Sequence, residues 1–366
     1  MRLTQLRLHN FRSYGQLKLL PPQGLTVFVG ENGAGKTNLL EAIHLCCLGR
    51  SHRTSVDQEM IRLGAETCAV HATVQRSGRV DDVGVRLFQQ QRRNKLIYVG
   101  GKIVPRIGEL MGHMTCVMFS PEDLEIIKGG PQLRRRFMDM LLSQCVPSYF
   151  YALQRYNAAL KQRNALLRAV NRFGADSASL PDWEEQLAQA AVPILRERAG
   201  AISRLNALAK EHYASISGVS GEVLEIAYKT QIEDADTADT LRRLLENQRA
   251  EDIRRMSTGV GPHRDDLIIS LSGRELPAFG SQGQIRTAVL AMRLSEIDIL
   301  TQAQGEAPLL LLDDVLSELD QSRRGRLIAG LEHVQTLITC TDLAEVDQLN
   351  PACVLHVRGG TIVEQA

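Results

Sequence analysis

The stretch LTVFVGENGAGKTNLLEA, residues 25–42, decides the fold of this chain. Its first five residues, Leu25–Val29, are mostly apolar or β-branched and predict a buried strand. Three glycines then predict a tight loop, and the residues from Thr37 to about Leu48 predict a helix. A strand, a G-x-x-x-x-G-K-T loop and a helix in this order are typical of a loop that binds nucleotide phosphates.

This loop predicts a site for ATP and Mg²⁺. Backbone N–H groups at a helix N-terminus hold phosphate oxygens, the lysine reaches the outer phosphates, and the threonine hydroxyl binds Mg²⁺. The alternative is a glycine-rich turn without a ligand, and the agreement of strand, loop and helix argues against it. The residues predicted to bind ATP are Gly30, Glu31, Asn32, Gly33, Ala34, Gly35, Lys36 and Thr37.

A second apolar strand, Leu309–Leu312, ends in two carboxylates. Such a pair can hold Mg²⁺ and polarise a water molecule beside the γ-phosphate. We predict that Asp313 binds Mg²⁺ together with Thr37, and that Asp314 and Lys36 are the catalytic residues. Because buried strands often end in an aspartate that only caps a helix, this prediction depends on the phosphate-binding loop.

Two further segments resemble motifs of ABC-type ATPases. Gly280–Gln284 precedes a predicted helix, and its serine and its last glutamine have the spacing of a capping box. The same segment corresponds to the ABC signature, whose helix N-terminus faces the γ-phosphate bound by the opposite subunit. The order of the motifs along the chain favours this interpretation over a simple helix cap. The predicted signature residues, which act in trans, are Ser281, Gly283 and Gln284. The second segment follows the carboxylate pair and resembles the D-loop, and its predicted residues are Ser317 and Asp320.

Strand and helix signals are distributed unevenly along the chain. Strand signals dominate residues 1–106, and strands alternate with helices over residues 251–366. Between them, amphipathic patterns near residues 149–170 and 181–213 predict two long helices. We therefore predict an α/β fold in which 1–106 and 251–366 form one ABC/SMC-like P-loop ATPase head, interrupted by a mostly helical arm domain at 107–250.

The composition excludes several classes of protein. The chain has 366 residues and 44% hydrophobic content, enough for one large core or two modest ones. Its 43 Lys and Arg residues balance 42 Asp and Glu residues, so any surface that binds nucleic acid must be local. Seven cysteines without C-x-x-C spacing indicate reduced thiols, and no long apolar run is present, so we expect a cytoplasmic protein with no membrane partner.

The chain resembles the RecF family of bacterial recombination mediators. The resemblance spans both ends of the sequence and the arm, and it implies an SMC-like ATPase head without a long coiled coil. The segments that carry it are residues 6–14 (LRLHNFRSY), 37–42 (TNLLEA), 119–124 (FSPEDL), 261–266 (GPHRDD) and 312–320 (LDDVLSELD).

The resemblance also implies a function. It implies a homodimer that forms with ATP on DNA and hydrolyses ATP slowly, stimulated by DNA. It further implies action with RecO and RecR in loading recombinase at single-strand gaps, support of replication restart, and induction of the SOS response. The DNA expected is double-stranded or a junction of single and double strands, with single-stranded DNA as an alternative.

Two departures from the wider ABC pattern predict slow hydrolysis. Asp314 stands where most ABC ATPases have a longer glutamate, and Thr341 stands where they have a switch histidine. The glutamine of the Q-loop also has no evident counterpart, and by position its role falls within Phe119–Asp123.

Two alternatives to a DNA-repair ATPase of the RecF type remain. One is an ABC subunit that energises a partner such as a transporter, and the other is a small-molecule kinase. DNA-stimulated ATPase activity would separate the DNA-repair ATPase from both alternatives.

DNA binding requires cationic side chains that neutralise phosphates. With aromatic residues at 4% of the chain, few rings can stack on single-stranded bases, which favours duplex DNA. A Gly-Pro turn precedes His263 and Arg264, and these two residues fit either a structural role in the turn or a phosphate contact. Further basic residues that could approach the nucleotide are Arg12, Arg50 and Arg53. The residues predicted to contact DNA are Arg92, Arg93, Arg134, Arg135 and Arg136, and further basic positions are Lys95, Arg155, Lys161, Arg163, Arg254 and Arg255.

Overall fold

The fold is known from a computed structural model that describes residues 1–90, 94–232, 238–316, 324–325, 333–346 and 349–364. Its strands are, in chain order, β1 (Arg2–Phe11), β2 (Tyr14–Leu19), β3 (Leu25–Val29), β4 (Thr67–Arg76), β5 (Arg79–Phe88), β6 (Lys95–Val99), β7 (Lys102–Val104), β8 (Cys116–Phe119), β9 (Leu224–Lys229), β10 (Asp266–Leu271), β11 (Arg274–Glu275), β12 (Leu309–Asp313), β13 (Thr336–Cys340), β14 (Cys353–Arg358) and β15 (Thr361–Glu364). Its helices are α1 (Lys36–Leu48), α2 (Glu125–Lys128), α3 (Pro131–Cys145), α4 (Pro147–Phe173), α5 (Leu180–Ser217), α6 (Ala238–Arg255), α7 (Leu276–Phe279) and α8 (Gln282–Gln304).

The chain divides into two units. The first comprises Met1–Asp123, Ser215–Gly218 and Leu290–Ala366, and the second comprises Leu124–Ala214 and Val219–Val289. These boundaries differ from the predicted limits at residues 107 and 250. Compactness does not decide which ranges act as head and arm, so that division stays a prediction.

A mostly parallel sheet in the first unit holds the phosphate-binding loop. Its strand order is β15-β14-β3-β13-β12-β8, and only β15 pairs antiparallel among the described strands. Because parallel strands end at the same edge, the loop after β3 and the carboxylates after β12 meet there, at the position where α/β sheets bind ligands. The strand β8 lies within the range predicted to be helical, and its four apolar residues are too few to show a period.

An antiparallel sheet with the strand order β2-β1-β4-β5-β6-β7 forms the rest of the first unit. Buried residues alternate with exposed ones along β1 and β4, so one face of this sheet is apolar and the other polar. Helix α1 contacts β1 and β4 of this sheet and β12 and β13 of the parallel sheet. Contact with both sheets explains why almost the whole helix is buried, including its polar residues Lys36, Glu41 and His44.

The second unit is mostly helical and has a small sheet of order β11-β10-β9. A hairpin joins β10 to β11, and β9, which pairs with β10, is a strand within the range predicted to be mostly helical. An apolar cluster from α3, α4, α5 and α6 forms the core, with Tyr149, Tyr156, Leu187, Ile194 and Leu241 among its buried members.

Two buried arginines form ion pairs that join the helices of this unit. Arg163 of α4 donates to Glu184 of α5 at 3.0 Å and to Asp252 of α6 at 2.7 Å. Arg198 of α5 pairs with Asp139 of α3 at 2.8 Å and with Asp265 at 3.1 Å. Removing one partner of such a buried pair costs about 3–5 kcal/mol, since the other charge is left unpaired.

Candidate nucleotide site and signature segment

The phosphate-binding loop has the geometry that its sequence predicts. It connects β3 to α1, and Gly33 and Gly35 have positive φ values of 80° and 112°. A Cβ atom on Gly35 would come within 2.7 Å of the Ser13 hydroxyl, and the Tyr14 hydroxyl donates to the Gly35 carbonyl at 3.0 Å. Glycine is therefore required at position 35 both by its backbone conformation and by the close approach of the segment 13–14.

Lys36 lies across this loop. Its side-chain ammonium donates to the carbonyl oxygens of Gly30 at 2.6 Å and Glu31 at 3.1 Å, and the residue is buried. The ammonium group is thus held beside the N-terminus of α1, where a phosphate oxygen would replace the carbonyl oxygens as its acceptor.

Thr37, Asp313 and Thr339 form a hydrogen-bonded group at the sheet edge. The hydroxyls of Thr37 and Thr339 donate to Oδ1 of Asp313 at 2.9 and 2.8 Å. The Asp313 carboxylate and the Thr37 hydroxyl are hard oxygen donors next to the loop, so they fit the Mg²⁺ ion predicted for them. Thr339 on β13 was not predicted, because nothing in the sequence marks a threonine within an apolar strand as a partner of Asp313.

Burial raises the pKa of the Asp313 carboxyl above its ordinary value. The hydroxyls of Thr339 and Thr37 oppose this effect, and the nearby charges of Glu122 and Asp314 add to it. Glu122 belongs to the segment predicted to replace the Q-loop, Phe119–Asp123, and its carboxylate is close enough to act on Asp313 electrostatically. Neighbouring Asp123 instead receives two hydrogen bonds from Arg293, at 3.2 and 2.6 Å.

Asp314 has an unusual backbone conformation. Its φ value is 52°, in the left-handed region, and its backbone N–H donates to the Thr339 hydroxyl at 2.9 Å. Left-handed backbone at a non-glycine residue stores strain and is concentrated at functional sites. The neighbouring carboxylates of Asp313 and Asp314 therefore extend from different backbone conformations.

A cavity of about 170 Å³ brings together most of the predicted residues of this site, while Gly30, Glu31 and Ala34 line a neighbouring depression. Arg53 also lines it, and its guanidinium donates to the Asn38 side chain at 3.1 Å. Arg12 is instead bound through two hydrogen bonds to the buried carboxylate of Glu41, at 2.8 and 2.7 Å. The residues that line the cavity are Asn32, Gly33, Gly35, Lys36, Thr37, Asn38, Arg53, Asp313, Asp314 and Thr339.

The signature segment lies in the second unit and contains the capping box expected from its spacing. The Ser281 N–H donates to the Gln284 side chain at 2.9 Å, and the Gln284 N–H donates to the Ser281 hydroxyl at 3.2 Å. Ser281 is exposed and Gly283 partly so. The N-terminus of α8, with its unpaired N–H groups and positive dipole end, is thus rigid and accessible to an anion.

A carboxylate outside the signature holds Gln284 in place. Glu222 accepts from the Gln284 amide at 2.7 Å and from the Tyr213 hydroxyl, also at 2.7 Å. Tyr213 is buried near the end of α5. Sequence reasoning missed both residues, because three strands and two helices separate Glu222 from Gln284 along the chain and no local signal marks their contact.

The basic residues predicted to contact DNA have different surroundings. Arg134 is buried and paired with Asp266 through two hydrogen bonds of 2.6 and 2.9 Å, and Arg135 donates to the Asp265 carbonyl at 2.7 Å. Arg136 is exposed. The geometry of Arg134 is that of a structural ion pair, and DNA contact at these three positions stays a prediction.

Some of the other predicted residues form contacts within the fold, and some lie outside the residues that the structure describes. The side chain of His263 is bonded to the Tyr156 hydroxyl at 2.6 Å and to the Thr258 carbonyl at 3.0 Å, which favours the structural turn. Lys95 pairs with Asp57 at 2.7 Å. The predicted residues Arg92, Arg93, Ser317 and Asp320 lie outside the described residues.

Comparison with known proteins supports the predicted family. The sequence profile described as RecF/RecN/SMC N terminal domain matches residues 2–355. A relative named DNA replication and repair protein RecF from Ruminiclostridium cellulolyticum is 40% identical over 349 residues, 93% of each chain. One of the same name from Gloeobacter violaceus is 41% identical over 373 residues, 99% of this chain and 98% of the relative.

Solved structures agree with this assignment. A structure described as the recombination mediator protein RecF with ATPrS in the RecFOR pathway has a TM-score of 0.91 at 34% identity, covering 100% of this chain and 98% of its own. An Smc head domain from Pyrococcus furiosus, at 16% identity and a TM-score of 0.56 over 100% of this chain and 96% of its own, shares the fold. The predicted fold class is confirmed, and the chain belongs to the RecF family of SMC-like ATPase proteins.

Proposed function

We propose that this protein is an ATP-dependent DNA-binding switch of recombinational DNA repair. The observation that supports this most directly is the convergence of Lys36, Thr37, Asp313 and Asp314 on one cavity. Relatives at about 40% identity are named for DNA replication and repair, and a similar solved structure for the RecFOR pathway. A cytoplasmic site of action fits these relatives, and no helix in the described part of the chain is long and apolar enough to cross a membrane.

Binding of ATP follows from the residues of the loop. The Lys36 ammonium, which donates to the carbonyl oxygens of Gly30 and Glu31, would bind the outer phosphate oxygens, and the Thr37 hydroxyl and Asp313 would hold the metal. Mg²⁺ supplies positive charge that neutralises the β- and γ-phosphate oxygens. Asp313 holds its carboxylate at the metal side, fixed by the hydroxyl of Thr339.

Hydrolysis is slow because the water-orienting group is short. We assign to Asp314 the role of orienting the attacking water and accepting its proton. An aspartate has one methylene fewer than the glutamate of other ABC ATPases, so it reaches the water less closely, and Thr341 replaces their switch histidine. Weak ATPase activity of this kind serves as a timer for a bound state.

A second copy of the chain completes each site. The Ser281 hydroxyl and the N–H groups of the first turn of α8 from one copy face the γ-phosphate bound by the other, with the D-loop residues Ser317 and Asp320 beside them. ATP therefore joins two copies into a homodimer that holds DNA, and hydrolysis releases it. RecO and RecR are the proposed partners in loading recombinase at gaps, with replication restart and SOS induction as consequences.

Light scattering tests this proposal directly. The oligomeric state is measured with and without ATP, Mg²⁺ and duplex DNA, on the wild type and on Asp314→Asn. We expect an ATP-dependent dimer that the variant traps and that DNA stabilises. A monomer under every condition would refute the switch and reopen the hypothesis of an ABC subunit that energises a different partner.

Two variants separate binding from dimerisation. Lys36→Ala should abolish ATP binding, whereas Ser281→Arg should retain it and lose the dimer, because only the second residue acts in trans. A Ser281→Arg protein that still dimerises with ATP would contradict the composite site.

A further inference from the structure

The antiparallel sheet of the first unit has a basic outer face. Arg7 of β1, Lys18 of β2 and Arg86 of β5 are exposed there, at strand positions whose neighbours point into the core. His9 and His71 lie on the same face. Among the strand residues described, the face has one carboxylate, Asp82. It lies on β5 two residues before Gly84, opposite Thr73 of β4.

The cations of this face lie close together and have no carboxylate partner among the described residues. Arg7 and Lys18 lie directly opposite each other across the two strands. Like charges in that position destabilise a sheet, and a bound anion would remove the cost. Within the described part of the chain, Arg7, Lys18 and Arg86 form no ion pair, whereas basic residues such as Arg134 and Arg163 are paired with carboxylates.

The surface between the charges is open enough for a bulky ligand. Ala69 lies opposite Arg86, and Gly84 lies opposite His71. A Cβ atom on Gly84 would collide with the imidazole of His71, which lies over the glycine and reaches the Tyr98 ring at 5.7 Å between centroids. A shallow depression of about 500 Å³ lies beside Arg7 and Lys18.

The positive charges of this face act together on His71, which lies between Arg7 and Arg86. The pKa of His71 is lowered chiefly by burial, Asp82 opposes this, and both Arg7 and Arg86 lower it further. The two guanidinium groups therefore act on one point of the sheet from different strands. An anion placed there would be attracted by both.

We propose that this outer face, defined by Arg7, Lys18 and Arg86, binds the phosphate backbone of duplex DNA. The proposal rests on the proposed function and names the surface that holds the DNA. From β2 to β5 the face spans three strand spacings, about 14 Å, which is close to the roughly 12 Å width of the major groove. Cations at the two ends of the face can therefore reach both phosphate strands that border a groove, an arrangement that suits a duplex better than an acidic peptide.

The test compares two variants of equal charge change. Arg7→Gln, Lys18→Gln and Arg86→Gln are combined in one protein. Three exposed arm cations that form no ion pair among the described residues and are not candidate DNA contacts, at Arg168, Arg172 and Arg204, are changed to glutamine in a matched control. Binding of a fluorescent duplex is measured by polarisation at several salt concentrations, with ATP and Mg²⁺ present.

We expect the magnitude of the negative slope of log affinity against log salt to decrease by about three in the sheet variant, because each lost phosphate contact lowers that magnitude by about one. ATP binding should stay at the wild-type value, and the melting temperature should not fall, because the substitutions remove the repulsion between Arg7 and Lys18. The single variants Lys18→Gln and Arg86→Gln should each lower the magnitude of the slope by about one. The control should keep the wild-type slope.

The outcomes distinguish this inference from the proposed function. A sheet variant with the wild-type slope, or a loss found only in the arm control, would overturn the proposal for this face while DNA binding itself stands. A wild-type protein that binds no duplex under any nucleotide condition would overturn the proposed function.

Discussion

Replacing Glu222 by alanine tests how the signature segment is held. The Glu222 carboxylate accepts hydrogen bonds from Gln284 and Tyr213, and Gln284 in turn caps the N–H of Ser281. Without the carboxylate, the buried Tyr213 hydroxyl and the Gln284 amide lose their acceptor. The first turn of α8 is then less ordered before the second copy binds, so dimerisation must supply the ordering free energy.

The magnitude follows from the two lost bonds. Leaving a buried donor without an acceptor costs about 1–3 kcal/mol. Because Glu222 is only partly buried, water can replace some of the lost hydrogen bonding. We therefore expect a loss near the lower limit, about 1 kcal/mol per site. A symmetric dimer has two such sites, so we expect about 2 kcal/mol in total. This corresponds to a roughly 30-fold higher dissociation constant of the ATP-dependent dimer.

Sedimentation in the presence of ATP and Mg²⁺ measures this constant. ATP binding to the monomer, measured by equilibrium dialysis, should not change, because Glu222 lies in the other unit from the phosphate-binding loop. Glu222→Gln keeps an acceptor and should recover part of the affinity. Glu225→Ala, an exposed glutamate on β9, is the matched control. A wild-type dimer constant for Glu222→Ala, or an equal loss in Glu225→Ala, would refute the reasoning.

Three further predictions follow from single residues. Gly35→Ala should destabilise the fold by about 1–2 kcal/mol or more, because alanine is strained at a φ of 112°, and thermal unfolding measures it. Asp313→Asn should raise the melting temperature without Mg²⁺ yet weaken Mg²⁺-dependent ATP binding, since the buried carboxylate has a raised pKa and its charge is unfavourable without the metal. His263 has its pKa lowered by burial from 6.5 to about 4, so its contribution to stability is present above pH 6.5 and is lost as the pH falls toward 4. His263→Gln should therefore reduce the fall in unfolding free energy over this range, by up to about 1.4 kcal/mol per pH unit.

Each of these has an outcome that contradicts it. An unchanged melting temperature for Gly35→Ala would mean that the loop relaxes away from the left-handed conformation. A lower melting temperature for metal-free Asp313→Asn would show that the two threonine hydroxyls stabilise the carboxylate more than burial destabilises it. An identical pH profile for His263→Gln would show that other groups titrate in this range.

Much of the nucleotide site could be predicted from local sequence. The spacing of the glycines between β3 and α1 predicts the backbone conformation of the loop. The apolar residues before Asp313 likewise predict a buried strand. Such signals are local, because each depends on residues within one element and its neighbours. The helices of the middle range were also predictable, since long amphipathic patterns repeat over many turns.

The rest required contacts between distant parts of the chain. The strand β8 joins the parallel sheet although its four residues show no period, and only the structure shows that Arg134 pairs with Asp266, far along the sequence. Basic residues look alike in sequence whether they are paired or not. Only their neighbours in space decide whether a guanidinium stabilises the fold or remains available to a phosphate.

The sequence by itself determined the chemistry of the nucleotide site, because Gly30–Thr37 specifies both a loop conformation and the groups that bind phosphate. Only the tertiary structure decided which side chains hold that chemistry in place. Thr339 meets Asp313 through the pairing of parallel strands, and Glu222 meets Gln284 through the packing of the second unit. The outer face of the antiparallel sheet likewise exists only because strand register aligns Arg7 with Lys18.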